Sequence, residues 1–592
     1  MKPLLPQHDP EAVTRAAAIT EAKKLYRFAH DIYPGVALAA EVPKGEVPPD
    51  DWSAVINSAL KCVIANQRKA DKLLGGHGGL VARLTDAKTT LHDLVHKDFA
   101  SAINDVASLL LAGNVAEIEV KSVDDYLKLF QEMAAPPLAN HLHDDATFSR
   151  RVIAGANPEI LERVRSRDPA FPVPDEAIAL VSPNDSWEAA QAEGRLYIAD
   201  YGMLDGAPPN DFGGPKRTLP APRVLFVVPR AGRVPRVCAI QIGRMPSATN
   251  PVFTTAHGWG WEIAKTHAAI ADTIVGAVWF HHARTHLVAE PAILAAHRSF
   301  APNHPVLVLL RPHFLGTLHI NHLGAKVVFP EHGVLDWFTG TTQHAVREVT
   351  HASLTSFHFG DSVFTRRLAA RGVDDRECLP EFPFRDDGLL VWKALAAWVE
   401  SYVGLYYASD AEVSEDTELQ TWVRQWSATD GGGIRGIASG MTSGMASDGR
   451  LETRAALSET LSQLIFAGSA IHAAMNFPVE TEMTVIPNSP WAAYAPPPTR
   501  VDGHTEADWR ALLPPLDQSQ RQFGVALLLG MARYGRLDTY PTGTFTDPKV
   551  EPLLNTFKQQ LAAVEAQIAQ RNTEREPYIH LLPSRIPQSI NI

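Results

Sequence analysis

Residues 280–313 read FHHARTHLVAEPAILAAHRSFAPNHPVLVLLRPH. The run is apolar and helix-forming, yet it carries six histidines. Two of them, His281 and His286, stand five residues apart. In a regular α-helix five residues turn about 140° beyond a full turn, so the two rings would diverge. A π-type distortion would return them to one face, and such distortions gather at functional sites. The spacing is therefore either incidental or the mark of a metal site on a distorted helix. Fourteen of the 24 histidines lie between His257 and His358. For any single one, packing at a helix surface explains it as well as a metal does.

Working outward, a second segment narrows the choice. GSAIHAAMNF, residues 468–477, places His472 and Asn476 four apart, on one face of an ordinary helix. An amide on an apolar helix face needs a partner. A metal that takes a weak oxygen ligand would supply one. Three imidazoles, one amide oxygen and no thiolate suit a borderline ion such as Fe(II). They suit four-coordinate zinc less well. Glu290, one turn after His286, would complete a His-His-Glu set for a zinc hydrolase, but no HExxH spacing and no Gly-x-Ser-x-Gly elbow occurs. His282, His297, His304, His313 and His322 read as groups supporting the site or the fold.

The chain around these segments reads as mainly helical. Residues 10–135 carry apolar residues at helical spacing in AVTRAAAITEAKKLYRFAHDIY, DWSAVINSALKCVIANQ and FASAINDVASLLLAG. Residues 192–245 read as short strands: AEGRLYIADYGML, then a hairpin in PRVLFVVPRAGRVPRVCAIQIGR turning at Arg230–Arg233. From about 255 onward helical patterns return, broken by TDGGGIRG and SGMTSGMASDGR, which read as mobile surface loops. No linker or repeat divides the chain. The expected architecture is one large helical domain with a small β element.

Composition sets further bounds. A net charge of −12 argues against nucleic acid as a partner. Three cysteines with no CxxC exclude thiolate zinc and iron–sulfur sites. The N-terminus lacks the apolar run of a secretory signal, and no stretch approaches 18 uncharged apolar residues. A cytoplasmic protein is expected.

At these residues the sequence resembles the lipoxygenase family. HHARTHLVAEP (281–291) is similar to the family's first iron-binding helix, and LRPHFLGTLHIN (310–321) follows at the family's distance. PFRDDGLLVWKALAAWVESYVGLYY (383–407) and EDTELQTW (415–422) match the next blocks, then GSAIHAAMNF, then PNSPWAAYAPPP (487–498). The chain ends SRIPQSINI, as members end in a short tail whose last residue is isoleucine. Weaker similarity starts at DDATFSRRVIAGANPEI (144–160) and GRLYIADYGMLDG (194–206). The resemblance thus spans residues 140–592 and is to the shorter bacterial members, without the N-terminal β-sandwich lipid-binding domain. It divides the chain into a catalytic domain at 141–592 and an N-terminal helical segment at 1–140, expected to cover the pocket entrance.

The resemblance implies one non-haem iron per chain, no organic cofactor, and ligands His281, His286, His472, Asn476 and the terminal carboxylate of Ile592. It implies a polyunsaturated fatty acid with a 1,4-pentadiene as substrate, O2 as co-substrate and a conjugated hydroperoxide as product. Peripheral contact with a membrane fits such a substrate. Aligning HINHLGAKVVFPEHG (319–333) with the family's block puts Gly324 where glycine accompanies R-configured products and alanine S-configured ones. Val328 and Leu529 fall at the apolar clamp over the pentadiene, and Trp337 and Phe338 near the residues that set pocket depth. The sequence departs from the family at a glutamine pair: where many members have glutamines, it has Val479 after Asn476-Phe477-Pro478, and Ala277 four residues before His281. A fatty-acid-binding or hydroperoxide-rearranging protein on the same scaffold is the alternative.

Overall fold

The computed structural model describes residues 2–33, 35–73, 120–437 and 449–592. Its spine is one continuous helix, here the central helix. It runs as α over Trp259–Ile274, as π over Val275–His286 and as α again over Leu287–Ser299. Most of its residues are buried, which is why its sequence shows no clear polar face. Pro291 lies where the ladder returns from π to α. Having no N–H, it cannot form one of the α-type rungs at that junction. A second helix packs against the central one. It runs as α over Arg454–Phe466, π over Ala467–Ile471 and α over His472–Asn476. After Pro478 a further π turn spans Val479–Met483.

A five-stranded antiparallel sheet flanks this body: β1 (Leu161–Arg163), β2 (Leu196–Asp200), β3 (Arg223–Val227), β4 (Arg236–Gln241) and β5 (Val252–Thr254), paired in that order. The hairpin expected around Arg230–Arg233 is the β3–β4 pair, with Leu225 opposite Ala239. Both faces are covered. Tyr197, Phe226, Ile240 and Phe253 enter the main core. Leu196, Leu225, Val227 and Ala239 pack with Ile178 and Trp187 of two short helices in a satellite core. That burial on both sides explains the near-continuous apolar runs.

Three readings are corrected. Residues within the expected N-terminal helices form a hairpin instead, Phe28–Tyr33 against Val36–Ala39. Gly35, at φ +82°, supplies the left-handed residue of its turn. TDGGGIRG is packed rather than mobile: Gly431, Gly432 and Ile434 are buried, and a Cβ on Gly432 would lie 2.4 Å from the Trp426 carbonyl oxygen. β1 and β5, three residues each, were not foreseen. DWSAVINSALKCVIANQ forms the helix Asp50–Leu73 as expected. FASAINDVASLLLAG and most of SGMTSGMASDGR lie outside the described residues. Among the described residues no helix is long and apolar enough to cross a membrane.

The N-terminal segment is built into the body. Ala39 donates its N–H to Glu290 of the central helix at 2.6 Å. The Trp52 indole donates to the main-chain oxygen of Asn591 at 2.9 Å. The first 73 residues thus hold both the central helix and the last residues of the chain.

Candidate metal centre and substrate cavity

The π segment answers the question of spacing. Its i→i+5 pattern puts His281 and His286 on one face. Their Nε2 atoms stand 3.2 Å apart. His472 comes in from the second helix, its ring centroid 4.8 Å from that of His281 and 5.1 Å from that of His286. One nitrogen from each of the three rings falls within a single 4.8 Å cluster, the only such group of metal-ligating side chains among the described residues.

Burial holds these imidazoles neutral, the form that binds metals. It carries His286 down to about 4 and His281 and His472 well below the usual histidine range. Neighbouring histidines add to the effect at His281 and His472. Neither ring nitrogen of His472 makes a hydrogen bond, although the main-chain oxygen of Ile592 lies close enough to favour its proton. A buried ring with no partner and two facing Nε2 atoms fit a cation among them. The donor set, three imidazoles with oxygens nearby, fits iron.

Supporting contacts are well formed. The His286 Nδ1–H donates to Asn321 Oδ1 at 2.7 Å. The Asn321 amide in turn donates to the His286 carbonyl at 3.1 Å and to Glu290 at 2.7 Å. This chain fixes the ring and leaves Nε2 toward the cluster. Glu290 is therefore committed to Asn321 and Ala39, and the His-His-Glu zinc reading loses its carboxylate. Asn321 was not singled out in the sequence. It lies 35 residues from His286, and an asparagine on a helix carries no distinctive signal.

Asn476 is buried, and its amide nitrogen donates to the Leu529 carbonyl at 3.1 Å. That bond fixes the amide and leaves its oxygen free. The chain terminus is equally fixed. Ile592 is 7% exposed. Before it, Thr317 donates to the Ile590 carbonyl at 3.0 Å, Ser589 to Leu315 at 2.6 Å and Asn591 to Tyr534 at 3.0 Å. His313 meets the Gln588 carbonyl at 2.8 Å, so it supports the tail.

A cavity of about 210 Å³ opens beside the cluster. His281, His286, Asn476 and Ile592 are among its lining residues. Gly324, Val328 and Leu529 line it too, as do Ala277 and Val479, the positions of the missing glutamine pair. The cavity is the drier for that replacement, and Leu529 supplies the acceptor for the Asn476 amide. Trp337 and Phe338 are not brought to the cavity. Trp337 packs on Phe212 at 5.1 Å and under the Arg521 guanidinium at 5.5 Å. Phe338 stands behind the lining residue Trp491, their centroids 5.5 Å apart. His282 lines the cavity, stacked on Phe329 at 3.8 Å. His304 pairs with buried Asp416 at 2.9 Å and His297 stacks on Tyr26 at 4.1 Å, both as parts of the fold.

Comparison with known proteins agrees with this geometry. The lipoxygenase family model matches residues 215–586. The linoleate 9/13-lipoxygenase of Pseudomonas aeruginosa is 33% identical, the match covering 100% of this chain and 93% of that protein. The human polyunsaturated fatty acid lipoxygenase ALOX15B is 30% identical over 85% of this chain and 76% of its own length. The crystal structure of coral 8R-lipoxygenase superposes with a TM-score of 0.85 at 26% identity, covering 100% of this chain and 83% of that one. With the family model matching more than half of the chain and a relative 33% identical along all of it, the chain belongs to the lipoxygenase family.

Proposed function

We propose that His281, His286, His472, Asn476 and the main-chain carboxylate of Ile592 hold one non-haem iron. With it, the protein adds O2 to polyunsaturated fatty acids bearing a 1,4-pentadiene, giving conjugated hydroperoxides of R configuration. One observation carries the reading: three neutral imidazoles converge within a single cluster, and two of them, His281 and His286, line a mostly apolar cavity. When bound, iron supplies a one-electron acceptor for hydrogen-atom abstraction from the weak C–H bond between the two alkenes.

The chain's own residues do the rest. The carboxylate of Ile592 contributes the one anionic donor, a charge that a bound cation beside it would balance. Asn476, fixed by Leu529, turns its oxygen to the site. Val328 and Leu529 flank the pentadiene and exclude water from the radical it becomes. A Cβ added at Gly324 would meet no atom within 4 Å, so its place is open space on the cavity wall. That gap gives O2 access to the radical end that leads to the R product. Trp337 and Phe338 set pocket depth only through what they support, Phe338 by backing Trp491. Of the N-terminal segment 1–140, the helix Asp50–Leu73 covers the entrance, a role supported by Ile56, which lines the cavity; residues 74–119 lie outside the described residues.

Metal analysis of the purified protein should find about one iron per chain, and stoichiometric zinc would overturn the assignment. Given linoleate and O2, the iron-loaded protein should consume O2 and form conjugated diene. No consumption by iron-loaded protein, with turnover of added fatty-acid hydroperoxide instead, would identify a rearranging enzyme.

A further inference from the structure

The central helix has a second cavity on its other side, of about 380 Å³. Phe280, Arg284 and Val288 of the central helix line it, and Ile471 and Met475 of the second helix face them. Its volume falls in the range of small-molecule sites. None of its lining residues lines the cavity beside the histidine cluster.

Arg284 is the unusual group within it. Its guanidinium lies against the rings of Phe280, Trp279 and Phe357, at 5.1, 5.4 and 5.9 Å from their centroids. Its Nε donates to Ser353 at 3.1 Å and one Nη to Ser356 at 3.4 Å. Among the described residues no carboxylate lies within 4.0 Å of it, and its other Nη has no acceptor. The neighbouring arginines are matched: Arg366 pairs with Glu459 at 2.7 Å, and Arg367 with Glu159 at 3.0 Å. Glu159 is shared with Arg371 at 3.6 Å, and Asp361, the other carboxylate of the lining, stands exposed at the rim. A guanidinium walled by aromatic rings and served only by hydroxyls is short of the partner it binds best, a carboxylate taken by two N–H groups.

We propose that this cavity is a second ligand site, which takes an amphiphilic carboxylate with its head on Arg284 and its apolar body along Phe280, Val288, Ile471 and Met475. The ligand class follows from the lining alone and does not depend on the iron chemistry. The position has a consequence. Arg284 lies between His281 and His286 in the π segment, and Ile471 and Met475 flank His472 and Asn476 in sequence. An occupant therefore rests on the backs of both helices that carry the histidine cluster, and its binding is felt there as a change in turnover.

Decanoate is a suitable probe, since it has no pentadiene to react. Titration calorimetry with the iron-loaded full chain should show a decanoate site that persists in Val328→Trp, whose substituent closes the first cavity. Arg284→Met, which keeps bulk and removes charge, should weaken that site by about tenfold or more, as expected for loss of a charged hydrogen-bond pair. Arg284→Lys should recover part of it. Unchanged binding in Arg284→Met, or complete loss in Val328→Trp, would overturn the proposal. Should Arg284→Met fail to fold, Ala370→Trp at the exposed rim should close the site. Undiminished binding there counts equally against it. Displacement of decanoate from Val328→Trp by linoleate or by its hydroperoxide distinguishes substrate from product as the occupant, and displacement by neither refutes the ligand class.

Discussion

Gly324 and Asn321 share the helix Thr317–Val327 and act on the site in opposite ways, one by an absent side chain and one by a fully engaged one. Alanine at 324 adds a methyl group into open space, so it leaves the fold intact and fills the gap proposed for O2. Gly324→Ala should fold and bind metal as the wild type does while shifting the hydroperoxide from R toward S. Chiral chromatography reads the outcome, and an unchanged product would remove Gly324 from stereocontrol. Asn321→Leu should do the reverse: it keeps the bulk of a residue lining the cavity, strips the partner from the His286 Nδ1–H and removes one of the two donors to Glu290. Leaving buried polar groups unpaired costs about 1–3 kcal/mol each. Loss of such an outer contact lowers metal affinity by about 10- to 100-fold. Iron retained after dialysis against a graded chelator, together with the urea midpoint, should show both losses. Retained iron at a lowered midpoint would reduce Asn321 to a packing role. The residues also differ in how far the sequence reveals them. The His281–His286 and His472–Asn476 spacings are legible because the chemistry lies within one helix. The Asn321–His286 contact joins two helices, and no local pattern records it.

At the scale of elements, the five-residue histidine step needs a π segment and the structure has one, so this distortion is legible from side-chain spacing. The N-terminal hairpin shows the opposite case. YRFAHDIYPGVALAA contains the Pro34-Gly35 turn signal, but the alanine-rich run before it reads as one helix continuing through. Strands of three residues, such as β1 and β5, are too short to show a period. Crossings between elements leave no local trace either, and one of them matters to the site. The helix Leu516–Met531 crosses the π turn Val479–Met483 so closely that a Cβ on Gly530 would lie 2.4 Å from the Glu480 nitrogen and 2.7 Å from its Cα. These are backbone atoms and cannot swing aside. The approach is what lets the carbonyl of Leu529, the preceding residue, reach the Asn476 amide. Gly530→Ala should push the two elements apart, at a cost of about 1–3 kcal/mol for overpacking. It should also loosen Asn476, reducing iron content or turnover beyond what the stability loss explains. Iron content and turnover equal to wild type, with only the melting temperature lowered, would show that the crossing serves packing alone.

For the molecule as a whole, the cost of burying so many imidazoles sets how stability depends on pH. Burial carries His267, His297 and His580 to about 3, and His286 and His313 to about 4. A base with a lowered folded pKa stays neutral while its unfolded counterpart takes a proton, so stability falls as pH drops below about 6.5. Buried carboxylates oppose this, among them Glu46, Asp272 and Asp387, whose pKa values burial raises. Burial raises Glu290 and Glu482 to about 7, so each favours the folded state below the ordinary glutamate value of 4.5 and loses that advantage as pH rises toward 7. The lowered histidines, with His281, His282 and His472 added to those five, outnumber the raised carboxylates, and the metal-free protein should lose stability from pH 6.5 toward 4. His267 isolates one step of this slope. It is fully buried in the central helix, neither ring nitrogen has a hydrogen-bond partner, and desolvation is the sole cause of its shift. His267→Leu deletes no bond and removes one proton uptake from the unfolded state. The variant should be at least as stable as wild type at pH 8, and its advantage should widen by about 2 kcal/mol at pH 5, from one and a half pH units at 1.36 kcal/mol each. Urea unfolding of both proteins at the two pH values gives the difference directly. An advantage that stays the same at pH 5 would mean that His267 charges in the folded protein, and that the burial argument fails where it has no competing contact.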